Sequence, residues 1–231
     1  MCYTDDARPP LPPVGGAAAD QGDIHLTAAD GNRFMAYFAR AAEPTGAGMV
    51  VLPDVRGLHP FYQELAQRFA EAGIDAVALD YFGRTAGDGS RGEEFEWRSH
   101  VERTTPEGIA ADTRAAVEFL RSGQMGDVRS VFTVGFYGVP ARVRDSIPRM
   151  EAPLLLLVAG ADFTPLEEFQ RFDADLSVAG VPHRMVVYEG APHSFFDRTF
   201  AEHADACADA WRQILDFVRE RSAGQAVAGP A

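Results

Sequence analysis

Residues 49–79 read MVVLPDVRGLHPFYQELAQRFAEAGIDAVAL. Met49-Val50-Val51-Leu52 is a short continuous apolar run that stops at Pro53-Asp54, as a strand covered on both faces of a parallel sheet does. Phe61, Leu65, Ala66, Phe69 and Ala70 then recur at helical spacing, and Gly73 closes the helix before a second apolar run, Ile74 to Leu79. The stretch predicts strand, helix, strand, the unit from which parallel sheets are built.

Downstream the alternation continues. Ile109, Thr113, Ala116, Val117 and Leu120 mark another amphipathic helix, and Val131 to Phe136 and Leu154 to Ala159 are two further strands. Thr164-Pro165-Leu166-Glu167 reads as a capping-box start for a helix reaching about Ala179, followed by a strand from Arg184 to Glu189 and a last helix from about Phe200 to Arg221. Upstream, Asp23 to Ala28 and Arg33 to Arg40 alternate in strand fashion around the turn-forming Asp30-Gly31-Asn32, which predicts a β-hairpin. Asp80 to Thr105 is a long, Gly-rich, charged connection without a period, and such loops in compact domains usually border a functional site. The fold class is therefore α/β: a mostly parallel sheet with helices on both faces and an N-terminal β-hairpin. One domain, residues 23–221, is expected between a flexible leader, 1–22, and a flexible tail, 222–231.

The chain has 231 residues, 46% of them hydrophobic, which suffices for one sizeable core. Its formal net charge of -13 argues against nucleic acid and against anionic membrane surfaces, since both need a surplus of Lys and Arg. Met1 to Pro13 lacks the basic and apolar regions of a secretory signal, and the longest apolar run, Pro153 to Ala161, is too short to span a bilayer. A cytoplasmic location is expected. The two cysteines, Cys2 and Cys207, do not make a disulfide framework, in keeping with a reducing compartment.

Active groups of a doubly wound sheet sit on loops leaving the carboxyl ends of strands. Three such loops stand out: Val51 to Leu58, Val158-Ala159-Gly160-Ala161-Asp162, and Tyr188-Glu189-Gly190-Ala191-Pro192-His193-Ser194-Phe195-Phe196. In this order, and with the Asp80-Tyr81-Phe82-Gly83-Arg84 turn, they resemble the dienelactone hydrolase family, a branch of the α/β-hydrolases, from about Gly46 to Val218. The resemblance implies hydrolysis of small esters or lactones by acyl transfer, with no cofactor and with a small-molecule ester, lactone or carboxylate as partner; it leaves the oligomeric state open. It makes Asp162 the triad acid and His193 the triad base: a carboxylate fixes the imidazole tautomer, and the imidazole takes the nucleophile's proton. The plainer readings are a helix N-cap for Asp162, a task Thr164 fits better, and a polar loop residue for His193. Asp54 matches an acidic position beside the nucleophile and the Val55 N–H an oxyanion donor, while Asp54 could equally cap the following helix. Arg84, and less surely Arg198, could hold a substrate carboxylate through the guanidinium fork, while Arg198 reads at least as well as an exposed surface arginine.

One part of the pattern is missing. The family carries its Cys or Ser in a sharp Gly-x-Cys/Ser-x-Gly elbow directly after a strand, but here Val131 to Phe136 is followed by Tyr137-Gly138-Val139-Pro140. The chain reads as passing from the Val-Gly-Phe that enters the elbow straight to a later Gly-Phe-Tyr-Gly, omitting a strand-helix unit of roughly 20 to 30 residues. Cys207 shares a helical stripe with Phe200, Ala204, Trp211, Leu215 and Val218 and reads as core. Ser130 precedes its strand, and Ser146 and Ser194 lack an elbow. Little acyl-transfer activity is expected of such a chain. The rival from another class is a non-catalytic binding module in which Asp54, Arg84 and His193 hold a small acid. A metal hydrolase is disfavoured by the absence of a His-Glu-x-x-His motif.

Overall fold

The computed structural model describes residues 5–89, 91–136, 144–150, 152–197 and 199–227, with 223–227 as backbone alone. Contacts divide the chain into two compact units, one ending at Val131 and the other beginning at Phe132.

In the first unit, β1 (Ala18–Thr27) and β2 (Arg33–Ala41) form the hairpin, joined by a turn in which Gly31 takes φ 86°, a left-handed conformation that suits glycine. The strands β3 (Ala47–Val51) and β4 (Ile74–Leu79) are parallel, with Ala47 opposite Ile74 and Val51 opposite Ala78, and β2 pairs antiparallel with the other edge of β4. Between β3 and β4 lies α1 (Pro60–Glu71), whose Phe61, Leu65, Ala66, Phe69 and Ala70 are buried as their spacing requires. Every residue of β4 is buried, as a central parallel strand demands. That burial extends to Asp75. Its Oδ1 accepts the Ala41 N–H at 2.8 Å, and desolvation pushes its carboxyl above the usual carboxylate range.

The long connection after β4 contains two short helices, α2 (Gly83–Ala86) and α3 (Arg98–Val101), before α4 (Pro106–Arg121). A buried ion pair anchors it: Arg91 Nη2 lies 2.8 Å from Asp80 Oδ2 with both side chains almost fully enclosed. Asp80 also accepts the Phe82 N–H, yet burial still outweighs Arg91 and pushes its carboxyl up. Described residues of the expected leader make specific contacts. The Asp5 and Glu93 side chains each accept the other's backbone N–H at 2.9 Å, Arg8 Nε lies 3.2 Å from Glu64, and β1 begins at Ala18 rather than Asp23. Prolines and isolated charges carry no periodicity, so pairings over this sequence distance leave no local trace.

The second unit holds three parallel strands in the order β5 (Ser130–Phe136), β6 (Leu154–Ala161) and β7 (His183–Pro192). On one face, Leu154, Leu156 and Val158 pack with Phe169, Phe172 and Leu176 of α5 (Leu166–Val178). On the other, α6 (Ala204–Val227) lies against β6 and brings the fully buried Trp211, Ile214 and Phe217, with the Phe217 ring 6.2 Å from Phe132. The last helix thus starts later and extends further than its apolar stripe indicates. Between β5 and β6 the described residues contain a 3₁₀ turn, Arg144–Arg149, with Pro148 inside it and no α-helix. No described helix is long and apolar enough to cross a membrane.

Candidate active site

The site grows from the register of β6 and β7. Leu154 faces His183 and the pairing runs in step to Ala159 opposite Tyr188. Continued in step, it would set residue 191 opposite Asp162. A bulge intervenes: Glu189, Gly190 and Ala191 of β7 oppose Gly160 alone, so Ala161 faces Pro192 and the next residues on the two strands are Asp162 and His193. Two glycines permit this. Gly190 takes φ 73°, and a Cβ on Gly160 would stand 2.9 Å from Glu189 Cα and from the Tyr188 carbonyl oxygen.

Asp162 Oδ2 lies 2.8 Å from His193 Nδ1, and Oδ1 accepts the Thr164 N–H at 3.0 Å. The carboxylate is 1% exposed and the imidazole 28% exposed. A carboxylate that can only accept assigns the proton to Nδ1 and leaves Nε2 as the basic nitrogen. The Phe163 ring, itself exposed, tilts over the imidazole with centroids 4.4 Å apart. The capping box expected at Thr164 is not formed. Pro165, with its ring-fixed φ, flanks α5 without a side-chain cap, and Thr164 gives its N–H to Asp162 instead.

Beyond His193 the chain is pinned by a tight turn. Ser194 adopts φ 65°, unusual for a non-glycine residue, while Phe195 N–H donates to the Pro192 carbonyl and Asp197 N–H to the Ser194 carbonyl, each at 3.1 Å. Phe195 and Phe196 are buried, and the Phe196 ring lies 4.6 Å from Phe136 and 5.7 Å from Trp211. The carboxyl end of β5, where the sequence pattern seeks a nucleophile, therefore touches the loop that carries His193.

The other expected site residues have other partners. Asp54 follows β3, is 42% exposed, and accepts both the backbone N–H and Nε of the buried Arg56 at 2.8 and 3.0 Å. Its backbone carbonyl accepts the Tyr81 hydroxyl at 2.8 Å. Asp54 does not cap α1. That role falls to His59, whose Nδ1 accepts the Phe61 N–H at 3.1 Å while Nε2 meets Asp5, and burial holds this imidazole below its usual pKa. Val55 sits in the turn between them. Arg84 is held by two carboxylates, Nε and Nη2 on Asp112 at 2.8 Å each and Nη1 on Asp30 at 2.7 Å, which raise its pKa further. Arg198 lies outside the described residues, as do residues 137–143 after β5 and Cys2.

Cys207 is 2% exposed, its Sγ 3.2 Å from the Phe195 carbonyl oxygen, and burial pushes its thiol up to about 12. That is a core thiol, not a nucleophile. Ser130 opens β5 and is buried at the amino end of that strand, Ser194 is buried within the turn, and the Ser146 hydroxyl is 3.4 Å from Arg149. Among the described residues no group of three or more His, Cys, Asp or Glu is placed to hold a metal ion.

Parallel strands whose last two carboxyl ends present an Asp–His pair, in that chain order, define a protein of the α/β-hydrolase class. More narrowly, the chain belongs to the dienelactone hydrolase family, whose model matches residues 34–136 and 128–222. The two matches overlap, so residues 128–136 serve both as the end of one and as the start of the other. The carboxymethylenebutenolidase of Rhodococcus opacus is 26% identical over 249 residues, spanning 94% of this chain and 96% of that protein. Since 94% of 231 residues is about 217, roughly thirty positions of that alignment have no residue here. A dienelactone hydrolase-like promiscuous phosphotriesterase from metagenomic libraries shares the fold with a TM-score of 0.69 at 20% identity, covering 89% of this chain and 99% of that one. An esterase of Pyrococcus furiosus does so at 0.57 and 15%, over 92% and 98%.

Proposed function

We propose that this chain is a hydrolase of small esters or lactones in which Asp162 and His193 are the acid and base of the triad, and in which the acyl-transfer route is disabled because the nucleophile elbow is absent between Phe136 and Tyr137. The observation that carries this reading is the double use of residues 128–136 by the family model. One strand standing for two is what the loss of the intervening segment would leave, and the roughly thirty unmatched positions agree in size with a strand-helix unit. The contact between Phe136 and Phe196 supports the location, since an elbow grafted after Phe136 would stand beside the histidine loop.

The site of a small acid held by Asp54, Arg84 and His193 without turnover gains no support from Arg84, whose guanidinium already serves Asp30 and Asp112. The reading is tested by quenching the purified protein during turnover of an activated ester and weighing it. No acyl adduct on any Ser or Cys is expected. A stoichiometric adduct on such a residue, lost in His193→Ala, would mean that the chain holds a nucleophile after all.

A further inference from the structure

Residues 5–16 follow α1 from one end to the other. Asp5 Oδ1 lies 3.1 Å from Nε2 of His59, the residue that caps the helix, and Arg8 Nε lies 3.2 Å from Glu64, one turn further on. Gly16 passes so close to the last residue of the helix that a Cβ there would collide with the Glu71 carbonyl oxygen. Between these anchors Ala7, Pro9, Pro10 and Pro12 are buried. Prolines fix φ, so such a segment gives up little chain entropy when it docks. We infer that residues 5–16 are a strap in which Asp5 is a positioning residue: through the cap of α1 it sets the Asp54–Gly57 turn, and through Glu93 it ties that turn to the long connection after β4.

The first link is a tautomer. His59 Nδ1 accepts the Phe61 N–H at 3.1 Å and so carries no proton, which puts the proton of the neutral ring on Nε2, facing Asp5. A carboxylate can only accept, so Asp5 favours the one tautomer that caps the helix. The imidazole is fully buried, and burial lowers its pKa, which favours the neutral form this arrangement needs.

The second link runs through Tyr62 in the first turn of α1. Its hydroxyl accepts the Asp54 N–H at 3.1 Å and Arg56 Nη2 at 2.9 Å, while the Gly57 N–H closes the turn on the Asp54 carbonyl at 3.1 Å. A frayed first turn would shift that hydroxyl and, with it, the turn that carries Val55. The third link is reciprocal: the Asp5 N–H donates to Glu93 Oε1 and Asp5 Oδ1 accepts the Glu93 N–H, both at 2.9 Å. Because β3 and β4 are parallel neighbours, the turn and the connection leave the same end of the sheet, the end where such sheets carry their active groups. None of these links involves Asp162 or His193.

Hydrogen exchange followed by mass spectrometry on the full chain tests the strap. The Asp5 side chain is more than half exposed, so replacing it leaves the core intact. Asp5→Ala is expected to speed exchange about fivefold, the scale of a lost helix cap, in both 54–62 and 91–95, and to leave 74–79 of β4 unchanged. Asp5→Asn keeps an accepting oxygen and should keep both segments slow. In His59→Asn the cap has an accepting oxygen of its own, so adding Asp5→Ala to it should no longer affect 54–62. No change in either segment, acceleration of 91–95 alone, or additive effects in the double variant would overturn the strap. An equal rise in 74–79 would do the same, by showing a general loss of stability instead of a selective release.

Discussion

Two connections in this molecule do the same topological task with different means. Residues 52–73 carry the chain from β3 to its parallel neighbour β4 through α1, whose apolar stripe is buried, and β4 is enclosed along its whole length. Residues 137–153 carry it from β5 to β6, also parallel neighbours, with only a 3₁₀ turn among the described residues. There Thr133 is exposed, and Val134, Gly135 and Phe136 are half-buried. Strand pairing does not require a helix in the connection itself, because backbone hydrogen bonds need only register, whereas burial needs a second layer. On the proposed reading, the loss of a strand-helix unit here would cost cover and the residue it carried, and would leave the neighbouring Asp–His pair standing.

The comparison is broken most directly by supplying what the proposed reading says the second connection has lost. A family-like elbow and helix inserted between Phe136 and Tyr137 is expected to raise ester hydrolysis by at least about 10³-fold, the scale on which triads depend on their nucleophile. It should also raise the melting temperature. Several hundred Å² of apolar surface at about 25 cal/mol per Å² is on the order of 10 kcal/mol, comparable with the stability of a whole domain. A parent chain that already melts cooperatively above about 60 °C as a monomer would show that cover is not what it lacks.

The first unit can be damaged in a way that leaves the second intact. Arg91→Met strands the buried Asp80 carboxylate, and the expected loss is about 3–5 kcal/mol in chemical denaturation. The His193 imidazole should keep its NMR signature in folded Arg91→Met protein. Gly160→Ala is the converse. The new methyl meets the Glu189 backbone at the bulge, so about 1–3 kcal/mol of stability is expected to go, together with the downfield Nδ1 proton of His193. Retention of that resonance would mean the bulge does not set the pair.

The smallest effect concerns Asp75. Burial raises its folded pKa above that of the unfolded chain, so its contribution is complete below the ordinary carboxylate pKa and is lost as pH rises through the raised value. Asp75→Asn should therefore raise the melting temperature at about pH 8 and lose that advantage toward about pH 4. A constant difference across the range would assign the effect to packing alone.

Much of this was legible in the sequence. Continuous apolar runs at Met49 to Leu52, Ile74 to Leu79 and Leu154 to Ala159, and the helical stripes between them, fixed an α/β class with a leading hairpin, because periodicity is a local consequence of which face is buried. Glycines at 160 and 190 and the residues Asp162 and His193 were visible as loop chemistry, and the absence of a Cys or Ser after Phe136 needed no coordinates. What the sequence could not supply was pairing. Counted in step, residue 191 and not His193 would meet Asp162, and only the bulge corrects it. His59 became the cap of α1 because its ring nitrogen reaches the Phe61 N–H, and Arg84 was claimed by Asp30 and Asp112, far away in the chain. Register and partner choice are decided when distant segments meet. A helix or strand announces itself through its own spacing, but a hydrogen bond between residues 162 and 193 exists only once both strands lie in one sheet.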